Sequence, residues 1–279
     1  MKSLWKKWGR GTVLASLASA AVLVGSVALA ASIVGSKHDL SASGPGGKFT
    51  FTDGSTQICV FCHTPHGSDS ASAVPLWNRV PGAAAGTFTP YSSTTLNGTV
   101  TLASSPSLVC LSCHDGTVAM NNMINAPGSG GYNAAGALAG GSWVAGGNVL
   151  GTGIMSTGIT NIGTDLRNDH PVAVPYAGGT TGADPVAGSD WTAATFKDTA
   201  FNTAKGAVGT SGWWVDTLTV GTVGVRDKTD LWLYTRTVGA STLPYVECAS
   251  CHTPHDNSAG TFLRTSNNGS NLCLSCHIK

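Results

Sequence analysis

All eight cysteines of this 279-residue chain fall in four C-x-x-C-H units. The units are CVFCH at 59–63, CLSCH at 110–114, CASCH at 248–252 and CLSCH at 273–277. Two cysteines three residues apart lie on one side of a helical turn, where both sulfurs can bond the same planar group. The pattern is typical of c-type haem attachment, in which each cysteine forms a thioether and the histidine binds the iron. The sequence therefore predicts four covalently bound c-type haems.

The residues of these units take two roles in that prediction. The thioethers form at Cys59, Cys62, Cys110, Cys113, Cys248, Cys251, Cys273 and Cys276. The proximal iron ligands are His63, His114, His252 and His277. Zinc is the main alternative, because cysteine and histidine at short spacing also bind zinc. Neither a zinc site nor a thioredoxin-like dithiol requires a histidine directly after the second cysteine, which all four units have.

The remaining histidines match the number of predicted irons. The chain has eight histidines, and four of them lie outside the units, at His38, His66, His170 and His255. One further ligand for each iron would make every haem six-coordinate with two histidines. Methionine is the usual competitor as sixth ligand. We interpret Met120, Met123 and Met155 as packing residues, because the histidines already balance the irons.

Two of the spare histidines stand in a repeated stretch, CHTPH, at 62–66 and 251–255. Axial ligands bind from opposite faces of the porphyrin, and a three-residue tether spans at most about 10 Å. We therefore expect His66 and His255 to bind a neighbouring iron and not the iron of their own unit. A simple hypothesis pairs His66 with the haem of His114 and His255 with that of His277. His38 and His170 would then serve the haems of His63 and His252, in either order.

The N-terminus has the pattern of a secretory signal peptide. Lys2, Lys6, Lys7 and Arg10 precede an uncharged run, and Ala28-Leu29-Ala30 is a small-residue cleavage pattern. The alternative is a retained membrane anchor, because the uncharged run is long enough to span. Cleavage after residue 30 leaves 11 Lys and Arg against 14 Asp and Glu, a net charge of −3. This charge argues against a nucleic-acid-binding face and a polybasic membrane patch.

The rest of the chain, 31–279, reads as a single tetrahaem domain with two doubled C-x-x-C-H modules at 59–114 and 248–277. The segment between them, 115–247, is rich in glycine, and we expect irregular loops over 128–163. Alternating apolar residues over 213–237 predict two or three short strands. The fold class predicted is a mostly irregular, coil-rich multihaem cytochrome c fold. It has short helices at the haem motifs, a few short β-strands and a core built around four stacked haems.

The chain resembles the tetrahaem outer-surface c-type cytochromes that polymerise into extracellular nanowires, the OmcE-like filaments. The resemblance is carried by CVFCHTPH, PLWNR, YSSTTL, CLSCHDGTVA, NDHPV, CASCHTPH and LCLSCH. It implies bis-histidine haems stacked in an unbroken chain, with one iron completed by a histidine of the adjacent subunit. Of the spare histidines, His38 is the best candidate for that ligand, and His170 is the second.

Together these features predict an exported electron-transfer protein, periplasmic to extracellular, and no enzyme. Its partners would be further copies of itself in a homopolymer and redox partners or extracellular acceptors, with no nucleic acid and no stable membrane insertion. Two alternatives remain at this point. One is a monomeric periplasmic shuttle with the same haems, and the other is a multihaem reductase with an open iron position.

Overall fold

The computed structural model describes residues 32–45, 48–81, 87–128, 130–145, 149–156, 158–206, 212–217 and 222–278. The predicted signal peptide lies outside the described residues. The described chain is mostly strands and coil with few helices. The helices are α1 (Ser107–His114), α2 (Cys248–Cys251) and α3 (Asn271–Cys276). The strands are β1 (Lys48–Phe51), β2 (Asn122–Asn125), β3 (Tyr132–Leu138), β4 (Gly141–Val144), β5 (Val174–Pro175), β6 (Lys205–Gly206), β7 (Trp213–Val215), β8 (Leu231–Val238) and β9 (Ser241–Val246).

The largest sheet has five strands in the order β5-β9-β8-β7-β6, and every pairing in it is antiparallel. Strands β8 and β9 form a hairpin whose turn contains Gly239, at a positive φ of 62°. One face of the sheet packs on an aromatic cluster that includes Tyr176, Trp191 and Phe196. The predicted strand segment, 213–237, contains β7 and most of β8. The sheet leads directly into α2, because β9 ends one residue before Glu247.

The glycine-rich segment between the modules differs from the expectation of irregular loops. Strands β3 and β4 lie within 128–163 and pair with β2 and β1 respectively. Both strands are largely exposed, and the middle of β3 consists of Asn, Ala and Gly, while Trp143 of β4 packs on Phe49. The sequence therefore lacks the apolar alternation that marks a half-buried strand. Main-chain hydrogen bonds to the more buried partner strands hold them in place.

The C-x-x-C-H units adopt short helical turns. The second unit forms the last part of α1, the third forms α2 and the fourth ends α3, while Cys59–Phe61 of the first unit is a 3₁₀ turn. Within the described part of the chain, no helix is long and apolar enough to cross a membrane.

Candidate haem centres

A short segment returns along the first C-x-x-C-H unit and holds its histidine. We call this segment, Pro75–Arg79, strap A. The Pro75 carbonyl lies 3.0 Å from Nδ1 of His63. The Leu76 carbonyl accepts from the amide of Thr64 (2.9 Å), and the amide of Asn78 donates to the Cys62 carbonyl (2.9 Å). Strap A thus fixes the first unit on both sides of its histidine.

The third C-x-x-C-H unit has the same support from Thr261–Thr265, which we call strap B. The Thr261 carbonyl lies 3.1 Å from Nδ1 of His252. The amide of Thr253 donates to the Phe262 carbonyl (2.7 Å), and the amide of Arg264 donates to the Cys251 carbonyl (2.8 Å). Leu76 and Phe262 occupy equivalent places and share a φ of 57°. The two modules therefore repeat a main-chain arrangement as well as a motif.

The straps also set which ring nitrogen faces the iron. A carbonyl oxygen can only accept, so Nδ1 of His63 and Nδ1 of His252 must carry the proton. His114 has the same arrangement, with its Nδ1 2.7 Å from the Thr160 carbonyl. A histidine that donates from one ring nitrogen to a carbonyl presents the other, Nε2, to a metal. His63, His252 and His114 therefore have the ring orientation that an iron ligand would need.

Three pairs of histidine rings lie opposite one another at the spacing that a shared iron requires. Two imidazoles that each place a nitrogen about 2 Å from one metal ion have ring centres about 6 Å apart. The ring centres of His63 and His255 are 6.1 Å apart. Those of His38 and His114 are 6.2 Å apart. Those of His170 and His277 are 6.4 Å apart. The side chains present thus fit bis-histidine haem binding at three of the units.

These pairings differ from the simple pairing hypothesis. His255 faces His63 and not His277, and His170 faces His277. His38 faces His114 of its own chain, stacks on Phe262 at 4.1 Å and has its Nδ1 3.4 Å from the Pro254 carbonyl. The ring pairs depend on long-range packing: His63 and His255 meet between the modules, while His38 and His170 come from segments outside them.

Two of the predicted iron ligands, His66 and His252, belong to none of these three ring pairs. Both are exposed, and among the residues that the structure describes neither faces another histidine ring. The main chain of His66 is nevertheless anchored. Its carbonyl accepts from Oγ1 of Thr64 (2.9 Å) and Nδ2 of Asn125 (3.1 Å). The assignment of the four spare histidines as distal ligands stays a prediction.

Thiols of successive C-x-x-C-H units are close enough to influence one another's pKa. Burial raises the pKa of Cys62 to about 12, with Cys113 nearby adding to it. A hydrogen bond between the Cys110 and Cys248 thiols raises the pKa of Cys110 and lowers that of Cys248. Burial raises the pKa of Cys251 to about 11, and the Cys276 thiol lies within its electrostatic range. Neighbouring thiols therefore link the first unit to the second, the second to the third and the third to the fourth.

The structure gives no support to the zinc alternative. No group of three or more His, Cys, Asp or Glu side chains converges on a metal-sized point in the described ranges.

A buried cluster of polar side chains, which includes an ion pair, joins α1 of the second unit to α2 of the third. Glu247 precedes Cys248 and caps α2 through a reciprocal pair of bonds with Ser250. Its carboxylate accepts from Oγ of Ser105 and Oγ of Ser107, both at 2.5 Å, and from Arg236 at 3.0 Å. The Ser107 hydroxyl also accepts from the amide of Cys248 (3.0 Å). We call this group the Glu247 clasp. The sequence analysis missed it, because its partners are far apart along the chain.

Comparison with known proteins supports the class that this geometry indicates. Residues 245–279 match the family model of the doubled CXXCH motif. No curated protein matches the chain. The matched motif indicates covalently bound c-type haem, and it supports a multihaem c-type cytochrome that works in electron transfer. Cytochromes with this motif are typically exported.

Proposed function

We propose that the chain binds four c-type haems and joins head to tail with further copies of itself, so that electrons travel a long way outside the cell. One observation carries the polymer. Three histidine pairs close within the chain, while His66 and His252 lie exposed with no histidine ring opposite them among the described residues. His66 would be a spare distal ligand, and the iron of His252 would lack one. On two neighbouring copies, these two residues could therefore form the contact between subunits.

The repeat in the chain indicates how the two halves meet. His255 follows His252 by three residues, as His66 follows His63. His255 of the second module lies opposite His63 of the first module. If the same contact formed between the second module of one copy and the first module of the next, His66 of the next copy would lie opposite His252 of the preceding copy. Such a head-to-tail contact joins two different patches, so it continues without limit unless the rotation closes a ring.

The straps provide a second, independent part of the interface. In strap B, Phe262 packs against His38, which comes from the segment just before the first module. The equivalent residue of strap A, Leu76, is 50% exposed. His170 faces the fourth unit as His38 faces the second. Repetition of the module contact would therefore place His170 of one copy on Leu76 of the next. This geometry favours His66 over His38 and His170 as the ligand that leaves the subunit.

The chain's own residues would do two things in this function. Paired histidines would hold the irons, and straps A and B would keep the rings of His63 and His252 in one orientation through their Nδ1 bonds. When bound, haem supplies reversible one-electron exchange between ferric and ferrous iron. Histidine in place of methionine as sixth ligand favours low potentials. Such potentials suit redox partners or extracellular acceptors that are weak oxidants.

The test compares wild-type holoprotein with His66→Ala by electron microscopy and size-exclusion chromatography. Intact mass first counts the bound haems, and we expect four in both proteins. Wild type should form filaments in which reduced haems bind no carbon monoxide. His66→Ala should be monomeric and bind carbon monoxide at one haem. Ser68→Ala, two residues away and outside every predicted iron site, is the matched control and should form filaments as wild type does.

Two outcomes would replace the proposal with another function. A wild-type monomer whose four haems all exclude carbon monoxide would indicate a periplasmic shuttle. A wild-type protein that keeps one open iron when fully assembled would favour a multihaem reductase, because catalysis at a metal needs an open position. The exposed His252 is the observation that keeps the reductase as second candidate.

A further inference from the structure

Arg79, the last residue of strap A, is a charged side chain with no solvent exposure. Its guanidinium has five N–H groups, and all five are used. Nε donates to Oγ of Ser112 (3.3 Å), and the two terminal nitrogens donate to the carbonyls of Met120, Asn122, Ser112 and Ala119 at 2.5 to 3.2 Å. Every acceptor is a neutral oxygen. The side chain is fully satisfied by hydrogen bonds, and its charge is not cancelled by any of them.

Among the residues that the structure describes, no carboxylate forms an ion pair with this charge. The ion pairs of the described chain involve Arg167, Lys205, Lys228 and Arg236, and none involves Arg79. Arginine cannot lose its proton in a protein, so the site keeps a full positive charge at every working pH. The buried Arg236 of the second module differs, because Glu247 neutralises it at 3.0 Å. An interior cation without a partner anion calls for an explanation beyond packing.

The position of Arg79 puts this charge between two attachment sites. Ser112, which accepts two of its bonds, stands between Cys110 and Cys113. The neighbouring residue, Asn78, donates its amide to the Cys62 carbonyl. The Cys62 thiol itself lies within the electrostatic range of Arg79. The guanidinium is therefore close to the first and second units and belongs to neither iron site.

We propose that Arg79 is a potential-setting residue, a fixed buried cation that raises the reduction potentials of the irons bound by His63 and His114. The inference rests on the haem binding proposed above, and it does not depend on the polymer. Oxidation adds one positive charge to each iron site, and a nearby fixed cation opposes that charge. Two unit charges about 10 Å apart at an effective dielectric constant of about 20 shift an equilibrium by about tenfold.

Redox titration of the holoprotein tests the inference with three variants. Arg79→Gln removes the charge, and Arg79→Lys keeps it while losing several hydrogen bonds. Ser112→Asp keeps the guanidinium and places a carboxylate beside it. In Arg79→Gln and Ser112→Asp the ratio of reduced to oxidised iron at fixed potential should fall about tenfold for two of the four haems, which is 59 mV. Arg79→Lys should change this ratio of reduced to oxidised iron by less than threefold.

Arg167→Gln is the matched control, because Arg167 is exposed and paired with Asp165, and the substitution changes the net charge equally. It should leave the ratio of reduced to oxidised iron at fixed potential within threefold of wild type for every haem. Unfolding in denaturant separates the charge from a structural role. Both Arg79 variants should lose stability, but only Arg79→Gln should move the potentials.

Equal shifts in Arg79→Gln and Arg79→Lys, or no shift in Arg79→Gln, would overturn the inference. If Arg79→Gln does not fold, Ser112→Asp decides alone, and an unchanged titration curve in that variant refutes the role. Intact mass separates this failure from failure of the proposed function. Missing haems in wild type would remove the function, whereas four bound haems with unmoved potentials would remove only the role of Arg79.

Discussion

Replacing Arg236 with methionine should destabilise the protein through the carboxylate that it leaves behind. Arg236 and Glu247 have side chains that are 7% and 0% exposed. The guanidinium donates to Glu247 (3.0 Å) and to the carbonyls of Thr101 (2.7 Å) and Ala103 (2.6 Å). Methionine has a similar length and fills much of the same space. The substitution therefore tests the charge more than the packing.

The size of the loss follows from what remains around the carboxylate. After the substitution, Glu247 keeps the two serine hydroxyls of the clasp but has no cation. Removing one partner of a buried ion pair costs about 3–5 kcal/mol, because the other charge stays buried. The two remaining hydroxyl donors favour the lower half of that range. We expect Arg236→Met to lower the free energy of unfolding by about 3 kcal/mol at pH 8.

The loss should depend on pH in a known direction. Burial raises the pKa of Glu247 above its ordinary value, and Arg236 opposes that rise. Without Arg236 the pKa rises further, so the folded variant holds the proton more tightly than the unfolded chain does. A raised carboxyl pKa stabilises the folded state below the unfolded pKa, and this stabilisation disappears as pH rises through the folded pKa. The difference between variant and wild type should therefore be smaller at pH 5 than at pH 8.

Equilibrium unfolding of the holoproteins in guanidinium chloride, followed by tryptophan fluorescence at pH 5 and pH 8, measures both quantities. The control is the double variant Arg236→Met with Glu247→Gln, which removes both charges and should recover most of the loss. A loss below about 1 kcal/mol at pH 8, or a loss that is equal at both pH values, would refute the reasoning.

Two further predictions concern the iron ligands and the interface. His255→Met should keep the iron of His63 six-coordinate and raise one of the potentials in a redox titration, because methionine raises the potential relative to histidine; an unchanged curve would remove His255 from that iron. Leu76→Asp should leave four bound haems but abolish filaments in electron micrographs, because it puts a charge where a neighbouring copy would pack. Val34→Asp, at another exposed apolar residue (63% exposed), is its control, and filaments in Leu76→Asp would contradict the strap contact.

The residue types at the candidate centres could be predicted from the sequence, and their partners could not. Covalent attachment fixes the spacing of Cys59, Cys62 and His63 within one short turn, so the motif is visible in the letters. The pairing of His63 with His255 depends on how two distant modules pack. No local pattern of the sequence indicates that packing, and a pairing based on chain neighbours therefore differs from the ring pairs in the structure.

The straps show a second reason why part of the candidate site could not be predicted from the sequence. Straps A and B make equivalent main-chain bonds to their units, yet their sequences are PLWNR and TFLRT. The intervening loops also differ, since Pro75 lies 12 residues after His63 and Thr261 lies 9 residues after His252. Amide and carbonyl groups are the same in almost every residue. A repeat made from them leaves little trace in the side chains, and the same holds for strands β3 and β4, which lack a regular apolar alternation.

The equivalence of the two straps bears on whether the contact between the modules can also form between two copies of the chain. Inside the molecule, the second module places His255 opposite His63 of the first, and its strap B receives His38 from the segment just before the first module. The first module has the same two features, the histidine His66 and strap A, and neither is used within the described chain in this way. A contact that is satisfied once between equivalent modules can be satisfied again between copies, without a new kind of interface. Subunit addition would then repeat the step that already joins the modules, and the series of attachment sites would continue into the next copy with the same ligands.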